Sequence, residues 1–199
     1  MAVSSQFVDG DVLITVAMSA TQRYSNPPLT NNGAGTYFAT PGSNTGGNNE
    51  SPNTGALWNF NYYLKVEGSN GATPVLTDYQ INLYYDFNPG FDTPIGLLGN
   101  INVTNVLLAT NPSSTLEEGS ENLLFGYLAV AVPGFLTPPP GAFNPNALGE
   151  YNFAITVFNQ SGFGVETVAM DVQIVPEPAT AVLFGAGLAA IYLIRRQRS

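Results

Sequence analysis

The stretch WNFNYYLKV, residues 58–66, decides the fold of this chain because its apolar side chains recur at every second position. A β-strand points successive side chains to opposite faces of its sheet, so this period is typical of a strand with one buried and one solvated face. The apolar face consists of Trp58, Phe60, Tyr62, Leu64 and Val66, and the polar face of Asn59, Asn61, Tyr63 and Lys65. We therefore predict a strand that covers a hydrophobic core.

Further stretches alternate in the same way, and each is predicted to be a strand with one apolar face. The clearest of them are residues 79–87, 151–158 and 166–174. Weaker alternation favours central or bulged strands at residues 12–18, 101–109 and 123–132. No stretch before the C-terminal tail has the period of an amphipathic helix. The pattern predicts seven or eight strands.

This number of strands without intervening helices predicts an all-β protein, an antiparallel β-sandwich of immunoglobulin-like or similar topology. The sandwich is expected to occupy residues 1–175 as one domain. Two long polar loops interrupt it, at residues 25–56 and 133–149, and both are rich in glycine, proline and asparagine. Turn-forming residues of this kind connect strands and do not form them.

The charge of the chain excludes one class of partner, and its composition excludes several classes of chemistry. Residues 1–178 hold Arg23 and Lys65 against all 14 acidic residues, a net charge of −12 (2 − 14). Nucleic-acid binding needs clustered Lys and Arg, so we predict no nucleic-acid partner. The chain has no Cys and no His, which excludes thiol catalysis, Ser-His-Asp triads and His-ligated metals. We predict that the protein is not an enzyme.

The C-terminal tail VPEPATAVLFGAGLAAIYLIRRQRS, residues 175–199, differs from the rest of the chain. Residues 180–194 carry no charge and would form a helix of about 22 Å, against a bilayer core of roughly 30 Å. The helix could extend through Pro178 and Ala179, and arginine side chains can snorkel to the interface. A basic stop follows at Arg195, Arg196 and Arg198, which places that end in the cytoplasm. We predict a single transmembrane helix over 180–194; the alternative is a core helix of a soluble domain.

Three parts in order, Val-Pro-Glu-Pro-Ala-Thr at residues 175–180, an apolar span and a basic tail at 195–199, resemble the PEP-CTERM sorting signal of bacterial exosortase substrates. The resemblance implies that residues 176–199 are a signal recognised and removed by exosortase, a membrane-embedded cysteine protease. By the same resemblance Pro176, Glu177 and Pro178 are the recognition residues, within a motif at 176–180. Two prolines around Glu177 would keep this peptide extended and open to a protease. A Gram-negative-type envelope and an association with exopolysaccharide or biofilm are also implied.

The N-terminus does not look like an export leader. Residues 1–20 contain no Lys or Arg, and Asp9 and Asp11 precede the apolar stretch 12–18. A signal peptide needs a basic segment before its apolar segment. We therefore expect the leader to lie upstream of Met1 or to have been left out of this chain, and a cytoplasmic life is the alternative.

Asp86, Asn88 and Asp92 place oxygen ligands at intervals that are typical of a Ca²⁺ loop. The complete calcium-loop pattern and its distal Glu are missing, and the Asn-Pro-Gly sequence at 88–90 explains the segment equally well as a hairpin loop. Apart from this calcium candidate we predict no cofactor.

Two other groups of side chains could bind or cleave carbohydrate. Glu117, Glu118 and Glu121 form the densest acidic cluster, and paired carboxylates are what glycosidases use, although a solvated loop or helical turn explains them as well. Tyr63 and Tyr84 are predicted on the polar faces of neighbouring strands, where they could stack on sugar rings or instead cover a second sheet.

Together these features predict an exported, non-catalytic protein of the cell surface or extracellular matrix, sorted and processed by exosortase. Its precursor would cross the membrane once, with residues 1–175 outside the cytoplasm, before release to the surface or medium. The alternatives are an exported carbohydrate-binding or carbohydrate-active protein, and a membrane-resident sensor that keeps its tail.

Overall fold

The computed structural model describes residues 2–24, 27–45, 54–159 and 161–176, and this part of the chain is mostly β-structure. Thirteen strands and one α-helix lie within the described residues. In chain order they are β1 (Val3–Asp9), β2 (Val12–Gln22), β3 (Thr30–Asn31), β4 (Thr36–Ala39), β5 (Ser43–Thr45), β6 (Thr54–Ala56), β7 (Trp58–Gly68), β8 (Gln80–Tyr85), β9 (Gly99–Asn102), α1 (Val103–Thr110), β10 (Leu116–Glu121), β11 (Leu136–Thr137), β12 (Gly149–Phe158) and β13 (Gly164–Ile174).

A four-stranded antiparallel sheet is built around the stretch that opened the sequence analysis. Its strand order is β1-β2-β7-β10, and β2 pairs with β7 without a break from Val12 opposite Gly68 to Gln22 opposite Trp58. The predicted strand at 12–18 is confirmed within β2, and the predicted strand at 58–66 within β7. Trp58, Phe60, Leu64 and Val66 are all buried, as the period of two predicted.

A seven-stranded sheet forms the second layer, in the order β11-β9-β8-β12-β13-β4-β3. Most of its pairs are antiparallel, including the long β12–β13 hairpin, but β13 runs parallel to β4. The prediction of a purely antiparallel fold was therefore wrong at this pair. The predicted strands at 79–87, 151–158 and 166–174 are confirmed as β8, β12 and β13. β5 and β6 make a separate two-stranded ribbon.

Aromatic side chains from both sheets meet in one hydrophobic core. The rings of Phe60 on β7 and Phe153 on β12 lie 4.7 Å apart, and Trp58 contacts Phe153 edge-on at 6.0 Å. Tyr151 and Phe143 close the same group of rings. Two sheets that bury their apolar faces against each other confirm the all-β class and its several antiparallel sheets.

The predicted transmembrane helix at 180–194 lies outside the described residues. Among the residues that the structure does describe, no helix has the length and apolar character needed to cross a bilayer.

The segment 101–109 was wrongly predicted to be a strand throughout, and the chain has a short helix that the periodicity did not reveal. β9 ends at Asn102, whose side chain accepts a hydrogen bond from the Asn105 backbone N–H at 2.9 Å and so caps α1. Val103 and Leu107, four residues apart, bury one face of α1. A helix of eight residues is too short to impose a clear 3.6-residue period on the sequence.

The strand predicted at 123–132 is absent. The acidic segment before it forms a strand instead, β10. Local turns occupy residues 123–132, with Phe125 N–H donating to the Asn122 carbonyl and Leu128 N–H to the Phe125 carbonyl. Within the predicted loops, β3 to β6 lie in the described parts of 25–56, and β11 lies in 133–149. The first strand, β1, was not predicted, because as an edge strand it alternates only between half-buried and exposed side chains.

The buried Asn122 side chain ties the end of β10 to the start of β7. Its Oδ1 accepts from Ala56 N–H at 2.9 Å, while Nδ2 donates to the carbonyls of Ala56 and Trp58 at 3.0 and 2.9 Å. We expect Asn122→Asp to lower the free energy of unfolding by roughly 1–3 kcal/mol, because a carboxylate cannot donate to those buried carbonyls. Urea denaturation followed by tryptophan fluorescence measures the change.

The matched control is Asn146→Asp, which adds the same charge at an exposed position. Its unfolding free energy should stay within about 0.5 kcal/mol of the parent. Equal losses in both variants would show that added negative charge, and not the lost donor, is responsible.

Candidate functional site

The C-terminal tail leaves the domain from inside the seven-stranded sheet. β13 lies between β12 and β4 and ends at Ile174, after which Val175 N–H donates to the Ala39 carbonyl at 3.0 Å. Pro176 follows, and its missing N–H cannot continue a sheet ladder. Sheet pairing therefore holds the chain up to the residue before the predicted motif. Pro176 is described; Glu177, Pro178, Arg195, Arg196 and Arg198 lie outside the described residues.

Several strand ends meet where the tail leaves, and we call this end of the large sheet the exit end. It contains the last residue of β8, the first of β12 and the last of β4. Gly149 starts β12 with a φ of +145°, and a Cβ there would lie 2.0 Å from the Pro89 carbonyl oxygen. This close approach, which only glycine allows, brings the loop after β8 against the start of β12.

The loop of residues 86–98 begins with two successive side-chain turns. Asp86 Oδ1 accepts from Asn88 N–H at 2.8 Å, and Asn88 Oδ1 accepts from Gly90 N–H at 3.0 Å. Turns of this kind are what asparagine and aspartate form when their side chains replace a backbone acceptor. Oxygens of two of the three predicted calcium ligands are therefore bonded to the backbone of their own loop.

Two strand side chains fix the far half of the same loop. Glu150 Oε1 accepts from Asp92 N–H at 3.3 Å, and Asn152 Oδ1 accepts from Thr93 N–H at 2.8 Å. Both acceptors stand on the outer face of β12. The loop is thus fastened to the sheet at two consecutive residues, with Asp92 in the left-handed region at a φ of +51°.

The three calcium candidates, Asp86, Asn88 and Asp92, all belong to the loop 86–98. Within the described ranges, no three acidic side chains form a group that could hold a metal ion. Asp86 is fully buried, although its position in the alternation predicted a solvated face, because the loop covers it. Among the described residues its Oδ2 has no hydrogen-bond partner, and burial raises the pKa of the carboxyl. Calcium binding by this set stays a prediction.

A network of carboxylates and amides on the outer face of β12 and β13 was missed in the sequence. Asn152 Nδ2 donates to Asp171 Oδ1 at 2.8 Å and to Glu150 Oε1 at 3.2 Å, while Gln173 Nε2 donates to Glu150 Oε2 at 2.9 Å. Burial, and then the charges of Glu150 and Asp92, raise the pKa of Asp171. The signal was present in the alternation: residues 150, 152, 171 and 173 fall on the polar faces of two strands that pair as a hairpin.

Four carboxyl groups with raised pKa values predict that the fold gains stability in mild acid. Burial is the main cause in each case, for Asp86, Asp171, Glu117 and Glu121. Their protonated forms favour the folded state, so this stability is complete below the ordinary carboxyl pKa of about 4 and is lost as pH rises through the raised values. We expect the urea midpoint to increase as the pH is lowered from 7 toward about 4.

Asp86→Asn tests the contribution of the most buried group. Because it removes the buried charge and keeps an oxygen for Asn88 N–H, it should flatten the pH dependence. Asp11→Asn makes the same substitution at an exposed carboxyl that also accepts a hydrogen bond, from Asn70 Nδ2, and is the matched control. A slope that changes no more in Asp86→Asn than in this control would show that Asp86 does not contribute to the acid effect.

The acidic cluster at 117–121 is a strand and not the predicted loop or helical turn. β10 pairs with β7, so that Glu117 and Glu121 share the inner face with Gly119, while Glu118 points outward and is exposed. The Tyr62 ring lies over Gly119, where a Cβ would come within 2.6 Å of it. Tyr127 OH donates to Glu121, and burial with the charges of Glu117 and Glu121 raises the pKa of Tyr62 to about 12. These residues form a polar margin of the core.

Tyr63 and Tyr84 do not lie on neighbouring strands. Tyr63 belongs to β7 in the four-stranded sheet and Tyr84 to β8 in the seven-stranded sheet. Each is on the outer face of its own layer, so the two rings stand on opposite sides of the domain and cannot form one stacking surface. The alternation of each strand was predicted correctly, but the assignment of strands to sheets was not available from periodicity.

A cavity of about 450 Å³ opens beside the exit end and was also missed in the sequence. Ala39, which holds Val175, lines it together with Thr40, Leu57 and Trp58. The buried Arg23 guanidinium points to this region and donates to the Asn44 carbonyl at 2.9 Å. The signal that could have drawn attention to it is that Arg23 is one of only two cationic residues before the tail.

Comparison with known proteins identifies the tail. The family model of the PEP-CTERM protein-sorting motif matches residues 175–198, so the match begins at the residue that the sheet still holds. The chain therefore carries a PEP-CTERM sorting motif at its C-terminus, as the resemblance of residues 175–180 and 195–199 indicated. Such a signal implies an exported protein that exosortase recognises, and that is secreted or processed at the cell envelope. A search of curated proteins finds no match to the chain.

Proposed function

We propose that this protein is a non-catalytic component of the cell surface or extracellular matrix of a Gram-negative-type bacterium. Its precursor crosses the membrane once through residues 180–194, with residues 1–175 outside the cytoplasm. Exosortase then removes the tail. The body, an immunoglobulin-like sandwich in this proposal, remains associated with exopolysaccharide or biofilm.

The observation that carries the proposal is the way the sorting motif joins the domain. Backbone pairing continues to Val175, and the family match starts at that same residue. A protease that binds the motif therefore meets a proline-containing segment directly after the last residue that the sheet pairs. Cleavage there would remove the apolar and basic residues and leave the sheet intact.

The composition of the body supports a scaffold. Its charge of −11 over residues 1–175 (2 − 13) keeps a domain soluble and opposes binding to anionic polymers such as nucleic acids. Its polar surface carries mainly Asn, Thr and Ser, which can hydrogen-bond to neutral sugars. Glu121 already accepts a hydrogen bond from Tyr127 at the margin of the core, which does not favour the alternative of a carbohydrate-active enzyme.

The intact mass of the protein from its native host tests the proposal. We expect a chain that ends near residues 176–180 in the surface or secreted fraction. A chain that still ends at Ser199 in every fraction would contradict exosortase processing and would favour the membrane-resident sensor. Cosedimentation of the processed form with the host's exopolysaccharide tests the second half of the proposal, and complete absence from that pellet would contradict it.

Calcium is tested separately, by thermal unfolding with calcium chloride and with EDTA. Binding to the folded state through Asp86, Asn88 and Asp92 would raise Tm as the calcium concentration increases. Asp92→Asn should then abolish the increase. The same Tm in both solutions would contradict the calcium prediction.

A further inference from the structure

Four large apolar side chains are exposed on the loops of the exit end. Phe91, Ile95 and Leu97 belong to the loop 86–98, and Leu148 comes directly before the start of β12. We call these four residues the exit patch. Loops rarely expose several large apolar side chains together unless the surface contacts a partner or a membrane.

The loops that carry the exit patch are in contact and fastened to the sheet. Glu150 N–H donates to the Pro89 carbonyl at 3.2 Å, which joins the start of β12 to the loop 86–98. The bonds from Asp92 N–H to Glu150 and from Thr93 N–H to Asn152 are made by the two residues that follow Phe91. Phe91 is nevertheless 71% exposed. The loop therefore presents its apolar side chains outward and does not fold them into the core.

The exit patch lies at the same end of the sheet as the tail, and this position determines which surface the patch can contact. β8 and β13 are both antiparallel to β12, so the loop after β8 lies at the same end of the sheet as Val175. Only three residues lie between Pro176 and Thr180, the start of the uncharged segment. Even fully extended, the four steps from Pro176 to Thr180 span no more than about 14 Å. A tail that is inserted in the membrane would thus hold the exit end at the membrane surface.

The geometry points to a second membrane contact: the exit patch inserts into the outer interface of the lipid bilayer while the tail is still attached. Phe91, Ile95, Leu97 and Leu148 supply the apolar surface. This inference rests on the membrane insertion of residues 180–194 that is part of the proposed function. Two membrane contacts, the tail and the exit patch, would hold the domain in one orientation at the membrane surface when exosortase acts on the motif.

Charge around the exit patch limits the depth of insertion and the choice of lipid. Asp92 and Glu150 adjoin the patch, and no Lys or Arg lies within the loop 86–98 or at 142–148. The apolar tips can enter the interfacial region, about 5–10 Å deep, only while the exposed Asp92 carboxylate stays in water; Glu150 is buried beneath the loop. We therefore expect contact with zwitterionic phosphatidylcholine and weaker contact as anionic lipid is added.

Single-cysteine labelling measures the contact, because the chain has no Cys of its own. Phe91→Cys carries a fluorophore in the patch. Phe163→Cys is the matched control, since Phe163 is 72% exposed in the loop between β12 and β13, at the opposite end. Ala189→Cys reports the tail. Each full-length variant is reconstituted into phosphatidylcholine vesicles and quenched with aqueous iodide or with a nitroxide-bearing lipid.

We expect the label at 91 to lose iodide quenching and gain nitroxide quenching in vesicles, while the label at 163 changes in neither. A label at 189 inside the bilayer with a label at 91 that behaves like 163 would overturn the inference and leave the proposed insertion standing. A water-exposed label at 189 would overturn both. Protection from iodide at 91 without nitroxide quenching would mean that a second copy of the chain covers the patch, and would also overturn it.

Discussion

Replacing Phe153 by alanine is expected to lower the free energy of unfolding by about 3–5 kcal/mol, a large fraction of the stability of an ordinary domain. Phe153 is 1% exposed, and its ring contacts Phe60 at 4.7 Å and Trp58 at 6.0 Å. Those partners belong to the other sheet, so the ring connects the two layers. Alanine would leave a cavity between sheets whose backbones are held by long ladders and cannot collapse into it.

Chemical denaturation measures this loss, with Trp58 fluorescence as the probe of the same ring cluster. Phe163→Ala is the control: it removes an identical side chain that is mostly exposed, and its unfolding free energy should change by less than about 0.5 kcal/mol. If Phe153→Ala were as stable as this control, the two sheets would not be held together through the Trp58–Phe60–Phe153 cluster.

The strands that sequence reasoning predicted best are those with a strict period of two. β7, β8, β12 and β13 alternate apolar side chains that point into the core with mainly polar ones, so their apolar positions are visible in the sequence. β1 and β10 were not predicted, because an edge strand is buried less completely and admits polar side chains on its inner face. Glu117 and Glu121 on β10 show this. The apolar segment 101–109 was predicted to be a strand but is mostly helix. A helix of two turns can be as apolar as a strand, so its composition did not distinguish the two.

The exit end could not be predicted because it depends on pairing between distant strands. Asn152 meets Asp171 and Thr93 only because β12 pairs with β13 on one side and β8 on the other. Periodicity says which face a side chain occupies but not which strand is its neighbour. The error over Tyr63 and Tyr84 has the same origin. The sorting motif, by contrast, was predictable because its residues are contiguous and its order carries the information.

Replacing Glu177 by alanine is expected to abolish processing of the tail in the native host. The sorting motif matches residues 175–198, and its acidic residue stands between two prolines immediately after the last paired residue, Val175. A protease that selects this short peptide must recognise it through that charge and the extended backbone that the prolines favour. The precursor should accumulate with a mass that still includes Arg195 to Ser199.

The variant Pro176→Ala/Pro178→Ala tests whether exosortase also recognises the backbone conformation that the prolines favour. It keeps Glu177 and removes the restraint on the peptide backbone. We expect slower processing with accumulation of some precursor. Glu166→Ala, in the strand that leads to the motif, removes an acidic residue outside it and should be processed like the parent. All three should unfold at the parent's urea midpoint, which separates a recognition defect from a folding defect. Normal processing of Glu177→Ala would show that exosortase selects this chain by its apolar and basic segments and not by the acidic residue of the motif.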